Sequence, residues 1–115
     1  MKVLFIQNFL QAYYGIMSIS AVLKKAGHQT EVHIVDKNEN VVEIVKKSNP
    51  DIIAFSCTTA MFPIALKQAD DIKKELRTKI IFGGVHPTID PKIINEKSID
   101  IVCRGEGEQA FLELI

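Results

Sequence analysis

The sequence predicts a doubly wound α/β sandwich built on a parallel sheet. Three observations lead there. Continuous apolar runs recur along the chain, at Val3-Leu4-Phe5-Ile6, Ile52-Ile53-Ala54-Phe55 and Ile80-Ile81-Phe82. Runs without polar alternation suit strands buried on both faces. Segments with apolar residues at helical spacing separate them. The connections are short throughout, so strand and helix alternate along the whole chain.

Each element has its own signal. Val3 to Ile6 is the first strand, and NFLQAYYG is the loop after it. From Gly15 to Ala26, Ile16, Ile19, Val22 and Leu23 recur at helical spacing. Lys24 and Lys25 occupy the last turn, and Gly27 is placed to cap it. Glu31 to Val35 alternates, with Val32 and Ile34 on one face and Glu31 and His33 on the other. That is the pattern of an edge strand with one more exposed face.

Asn40 is a candidate cap for a helix through Val41, Val42, Ile44 and Val45. It should end before Asn49-Pro50, because proline disfavours the helical region at the preceding residue. Asp51 to Phe55 is the third strand and SCTTAMFP a loop. Ile64 to Arg77 reads as a helix with Ile64, Leu66, Ala69, Ile72 and Leu76 inward. Lys79 to Phe82 is the fourth strand. Pro91 to Lys97 is expected to be a short helix capped by Asp90. Ile99 to Cys103 is the fifth strand, and RGEGEQ enters a final helix with Ala110, Phe111 and Leu114 inward. Five parallel strands make the flavodoxin-like (Rossmann-like) order 2-1-3-4-5 the expected one, with helices on both faces and a switch point between the first and third strands.

Length and charge narrow the function. The 115 residues suffice for one domain, and 47% hydrophobic content can bury a sizeable core. Fourteen basic residues cancel 14 acidic ones, which argues against a nucleic-acid partner or a polybasic membrane surface. No apolar run approaches the roughly 18 residues needed to span a membrane. MKVLFIQN has no small-residue cleavage site after it and reads as a strand. Cys57 and Cys103 are too few for a disulfide framework, so two reduced thiols in a cytoplasmic protein are expected.

In open parallel sheets, ligands bind beyond the carboxyl ends of the strands. The connections at the amino ends are plain polar turns: KKAGHQ, KSNPD, RTK and EKSID. Those at the carboxyl ends are QNFLQAYYG, SCTTAMFP, GGVHPT and RGEGE. They hold the aromatics, hydroxyls and most glycines, together with His86. Ser56, Thr58 and Thr59 serve equally as turn residues or as small donors to a ligand. Gly83-Gly84 is either a simple turn or a place where something approaches the backbone closely. His86 is a loop histidine or a functional one, with no second ligand at metal spacing. Gly105-Glu106-Gly107-Glu108 is a flexible helix entry or a source of ligand acceptors. Of the adjacent Tyr13 and Tyr14, at least one is expected to be a loop anchor.

Several catalytic readings fail on residues. A receiver needs an acidic pair where Gln7-Asn8 stands and an aspartate where Ser56-Cys57 stands. The phosphate patterns GxGxxG and GxxxxGK[ST] are missing, and no nucleophile elbow is evident. The chain holds no complete active site of its own. Its loops describe a wide, mostly neutral, hydrogen-bonding cradle.

The segments KVLFIQN, PDIIAFSCTT, KIIFGGVHPT and IDIVCRGEGEQAFLEL resemble the amino-terminal cobalamin-binding domain of B12-dependent radical SAM enzymes. The paired GGVHPT and RGEGE motifs are the specific part, and the ending resembles the magnesium-protoporphyrin monomethyl ester cyclase-like subgroup. The resemblance implies that residues 1–115 are a cobalamin-binding domain followed by a carboxyl-terminal radical SAM domain. It implies that Ser56, Thr58 and Thr59 line the corrinoid's nucleotide tail and that Gly83 and Gly84 let it approach. Val85, His86, Pro87, Thr88, Gly105, Glu106 and Gly107 would edge the corrin, with Asn8, Phe9 and Gly15 flanking it. B12-binding domains that ligate cobalt carry DxHxxG, then SxL, then GG. Here Gly15, Ser56-Cys57-Thr58 and Gly83-Gly84 correspond, but Leu10 and Ala12 stand for the aspartate and histidine. A base-off corrinoid without a protein histidine ligand is the implied state. The CxxxCxxC motif for a four-iron cluster is missing. The resemblance therefore assigns cluster, SAM and reaction, methyl transfer or oxidative cyclisation, to the further domain.

Two other readings stand beside this one. A degenerate domain could keep the fold as a structural or docking module. An unrelated α/β enzyme could use His86 as base with Glu106 as its partner.

Overall fold

The first apolar run forms an inner strand of the sheet. The computed structural model describes residues 1–8, 14–35, 38–56, 61–83 and 96–103. In it, β1 (Lys2–Gln7) pairs in parallel with both β2 (Gln29–Ile34) and β3 (Ile52–Ser56). β3 pairs with β4 (Lys79–Gly83), and β4 with a short β5 (Ile101–Val102). The order is β2-β1-β3-β4-β5, as the sequence predicts. The chain leaves β1 toward β2 and returns on the other side to β3, which places the switch point between β1 and β3.

Side-chain alternation along the strands divides the core into two layers. Leu4, Ile6, Ile53, Phe55, Ile80 and Phe82 pack with residues of α2 (Val41–Ser48) and α3 (Phe62–Glu75). Val3, Phe5, Ile52, Ala54 and Ile81 pack with Leu23 of α1 (Tyr14–Lys25) on the other face. Phe55 and Phe82 stack at 4.9 Å, and Phe62 meets Phe82 edge-on at 5.8 Å. Such pairs contribute about 0.5–1.5 kcal/mol beyond their buried area.

The helix ends follow their sequence signals. At the end of α1, Gly27 takes φ +94°, His28 N–H donates to Leu23 O at 2.9 Å, and Gly27 N–H donates to Lys24 O at 3.0 Å. These two bonds satisfy carbonyls that the helix would otherwise leave open. Asn40 caps α2, its Oδ1 accepting from Val42 N at 2.9 Å and Glu43 N at 3.3 Å. Asn49 ends α2 before Pro50, but through the left-handed conformation (φ 51°) rather than an extended one. Asparagine tolerates that region better than most residues.

Other boundaries and faces shift. α3 begins at Phe62, two residues before the expected start, and turns Ala65, Ala69 and Ile72 inward. Ile64, expected inside, is 49% exposed. The i, i+4, i+7 row that meets the sheet starts at Ala65, where a small side chain lets the helix approach. β2 begins earlier than expected, at Gln29, and its Val32 and Ile34 are exposed. β5 is shorter than Ile99–Cys103, although Asp100 N–H bonds Ile80 O and Cys103 N–H bonds Phe82 O on either side of it. Of the expected helix over 91–97, residues 96 and 97 lie in a bend and turn, and 91–95 lie outside the described residues. The final helix lies outside them as well.

The amino edge of the sheet is stitched by polar contacts. Asp51 N–H donates to Lys2 O, and Lys2 N–H donates to Asp51 Oδ2, each at 2.8 Å. Lys2 Nζ meets Glu31 at 2.7 Å and Ser48 O at 2.6 Å. Lys73 Nζ donates to Thr78 O at 3.0 Å and to Asp100 Oδ2 at 2.6 Å, and Asp100 Oδ2 also accepts from Ile80 N at 2.8 Å. Polar groups at this end hold connections together, which agrees with the plain turns read from the sequence.

Candidate functional site

The carboxyl edge has a different character. β1, β3 and β4 are neighbours and parallel, so their last residues come side by side. Ser56 is the register partner of Gly83, and Phe55 that of Ile6 one step earlier. Asn8 follows directly on β1. Three of the predicted site residues, Asn8, Ser56 and Gly83, thus gather on one edge across the switch point. The backbone of Gly15 lies in the first turn of α1, the helix that follows β1. Phe9, Thr58, Thr59, Gly84, Val85, His86, Pro87, Thr88, Gly105, Glu106 and Gly107 lie outside the described residues.

Asn8 is fixed by a partner that the sequence reading missed. Gln68 Nε2 donates to Asn8 Oδ1 at 2.9 Å, and Asn8 Nδ2 donates to Gln68 Oε1 at 3.2 Å. The signal was present: Gln68 follows Ala65 and precedes Ile72 at helical spacing, one polar position in an apolar row. Gln7, buried to 4% exposure at the end of β1, also belongs to this edge. Its carbonyl accepts from Val35 N at 2.9 Å.

Gly83 has a negative or extended backbone, with no left-handed φ to require glycine. A Cβ built there would meet Cys103 Cβ at 3.6 Å and Cys103 O at 3.9 Å, ordinary contact distances. Among the described residues, nothing in the fold demands glycine at this position. Leaving out a side chain here keeps the strand end open beside Ser56, which is half-buried. Cys103 is a free thiol, and burial pushes its pKa above the usual thiol value. It is therefore held as the neutral S–H rather than as a thiolate.

Gln7, Asn8, Ser56 and Gly83 are all uncharged. Side-chain amides and a hydroxyl at a strand end can donate and accept in turn. Such an edge suits a neutral, amide-bearing ligand lying against the backbone. The residues present fit the nucleotide-bearing tail of a corrinoid in this sense: a bare glycine, a small hydroxyl and a fixed amide side by side.

Comparison with known proteins bears on the family and the fold. A family model described as the B12 binding domain matches residues 12–115. The chain is 31% identical over 109 residues to the anaerobic magnesium-protoporphyrin IX monomethyl ester cyclase of Cereibacter sphaeroides, covering 84% of this chain and 17% of that protein. It is 36% identical over 103 residues to the protein of the same name from Rubrivivax gelatinosus, covering 79% of this chain and 18% of that one. It therefore spans less than a fifth of the length of these relatives. Among solved structures, a cobalamin-binding protein from Desulfitobacterium hafniense superposes with a TM-score of 0.76 at 20% identity, over 99% of this chain and 58% of the other. At that identity the likeness concerns the fold.

Proposed function

The chain belongs to the B12-binding domain family, and from that we propose that it is the cobalamin-binding module of a radical SAM enzyme. It would hold a base-off corrinoid without a protein histidine ligand and present it to a carboxyl-terminal radical SAM domain of the same parent chain. The observation that carries this reading is the side-by-side placement of Asn8, Ser56 and Gly83 at the switch-point edge.

Each residue has a part in this reading. Gly83, with Gly84 after it, leaves room for the tail against the strand end. Ser56 offers a small hydroxyl beside it, with Thr58 and Thr59 following. Asn8, held by Gln68, presents a fixed amide at the exit of β1. When bound, the corrinoid supplies a cobalt centre for carbon transfer or redox chemistry, and the protein supplies binding and orientation.

The histidine-free state is supported by what the described histidines do. His28 Nδ1 lies 3.0 Å from the amino terminus, and His33 Nε2 lies 3.1 Å from Glu39. The position of the cobalt-ligating histidine in related domains is Ala12 here.

The radical SAM part rests on the names of the relatives and on the motif resemblance. Two relatives are anaerobic magnesium-protoporphyrin IX monomethyl ester cyclases by name, and the sequence here has no CxxxCxxC. A four-iron cluster and SAM would therefore be held by the further domain, and the reaction would take place there.

The test is direct. Purified protein mixed with hydroxocobalamin should carry a red chromophore through gel filtration, and Gly84→Trp should release it while the circular dichroism spectrum stays unchanged. A colourless wild-type protein at neutral pH, or retention unaffected by Gly84→Trp, would sink the proposal. Reading the gene beyond Ile115 tests the second half, since a downstream CxxxCxxC is expected.

A further inference from the structure

We propose that the free edge of β2 is a self-association surface, on which a second copy of this chain pairs its own β2 antiparallel across a twofold axis at Val32. β2 lies at one end of the strand order, so among the described residues one side of it is unpaired. Three features of the strand meet there.

The first is the direction of the backbone. Gln29 N–H donates to Met1 O at 3.0 Å, and Val35 N–H donates to Gln7 O at 2.9 Å. In a parallel ladder, alternate residues turn both N–H and C=O to the same neighbour. The odd-numbered residues of β2 therefore serve β1, and Thr30, Val32 and Ile34 direct their backbone groups outward. An antiparallel register centred on Val32 sets Val32 against the partner's Val32 and Thr30 against the partner's Ile34. Those are the hydrogen-bonded pairs such a ladder requires.

The second is apolar exposure. Thr30, Val32 and Ile34 share the face of Val3, Phe5 and Gln7, their register partners. α1 reaches Thr30, where Ser20 Oγ lies 2.5 Å from its Oγ1. Val32 and Ile34 are left 49% and 40% exposed, and Met17 of α1 58% exposed. The proposed register brings Ile34 and Val32 of both copies onto one continuous strip.

The third is charge complementarity. The same register sets Glu31 opposite the partner's His33, twice by symmetry. These are the non-hydrogen-bonded pairs, where side chains come closest. Glu31 already accepts from Lys2 and from Ser48 at 3.1 Å, and His33 from its own chain meets Glu39. A carboxylate has further acceptor sites, and these contacts hold both side chains on the α2 face. The strand QTEVHI carries no proline or lysine, two residues that commonly blunt an exposed edge. A twofold pairing uses the same patch on both copies and closes on itself.

Sedimentation equilibrium of the purified chain should show a concentration-dependent monomer–dimer equilibrium. Val32→Asp should leave it monomeric with the wild-type circular dichroism spectrum, and remove any concentration dependence of its melting temperature. His33→Glu sets carboxylates against each other and should weaken the dimer about tenfold. Glu31→Lys combined with His33→Glu restores opposite charges and should recover it. A wild-type chain monomeric at all concentrations overturns the proposal. So does a dimer that survives Val32→Asp, or one indifferent to both charge variants, since its interface would lie elsewhere.

Discussion

Asn8 and Gln68 exchange hydrogen bonds through both ends of their side-chain amides, 60 residues apart in sequence. The pair ties the exit of β1 to the inner side of α3. It thereby couples the switch-point edge to the helix that packs beneath it. Gln68→Ala should lower stability by about 1–2 kcal/mol, since two partly buried bonds go and the Asn8 amide loses its partner. Urea denaturation measures this. Gln68→Glu removes the donor and should fall between wild type and alanine.

Under the proposed function, substitutions at Gly83 should separate folding from binding. Gly83→Ala should keep stability within about 1 kcal/mol of wild type, because its Cβ meets only Cys103 at ordinary distance. Cobalamin retention should nevertheless fall, and more so for Gly83→Leu. Thermal melts and absorbance after gel filtration, made on the same samples, check both halves. A Gly83→Leu protein that retains the chromophore fully would remove this residue from the site.

Asp100 makes stability depend on acid. Burial raises its pKa, but the hydrogen bond from Lys73, that from Ile80 N–H and the charges of Lys73 and Lys79 outweigh it and hold the carboxyl below the ordinary 3.8. A depressed folded pKa gives stability that is present above the unfolded value and lost as pH falls through the folded one. Asp100→Asn should cost about 1–2 kcal/mol at pH 7. The gap to wild type should narrow below pH 3.8. Melting curves from pH 7 down to acid measure it.

Asn40 caps α2 with two bonds from its Oδ1. Asn40→Ala should destabilise by about 1 kcal/mol, and Asn40→Asp should be close to neutral. Chemical denaturation at neutral pH decides between them.

Much of the fold was legible because burial on both faces writes an unbroken apolar run. Val3 to Ile6, Ile52 to Phe55 and Ile80 to Phe82 read as inner strands and are inner strands. Caps were legible for a similar reason, since Asn40 and Gly27 act on atoms only a few residues away. The face of α3 was misjudged at Ile64, because periodicity alone leaves the phase of a short stripe open by one residue. Ala65 in fact leads the buried row, and the small side chain carries little hydropathy to announce it. Gln68 was passed over because its partner Asn8 lies far off in sequence, and no local pattern links them.

By itself the sequence determined the parallel α/β class and the inner strands, predicted the strand order, and marked the edge proposed here to bind the cofactor by its small neutral residues. Those follow from local hydropathy, turn chemistry and the handedness of parallel crossovers, all of which act over short stretches. Only the tertiary structure decided which residues stand together on that edge. It set Ser56 beside Gly83, tied Asn8 to Gln68 and left Val32 and Ile34 uncovered on β2. The reason is physical: these relationships depend on register and helix placement, which are settled when distant segments pack.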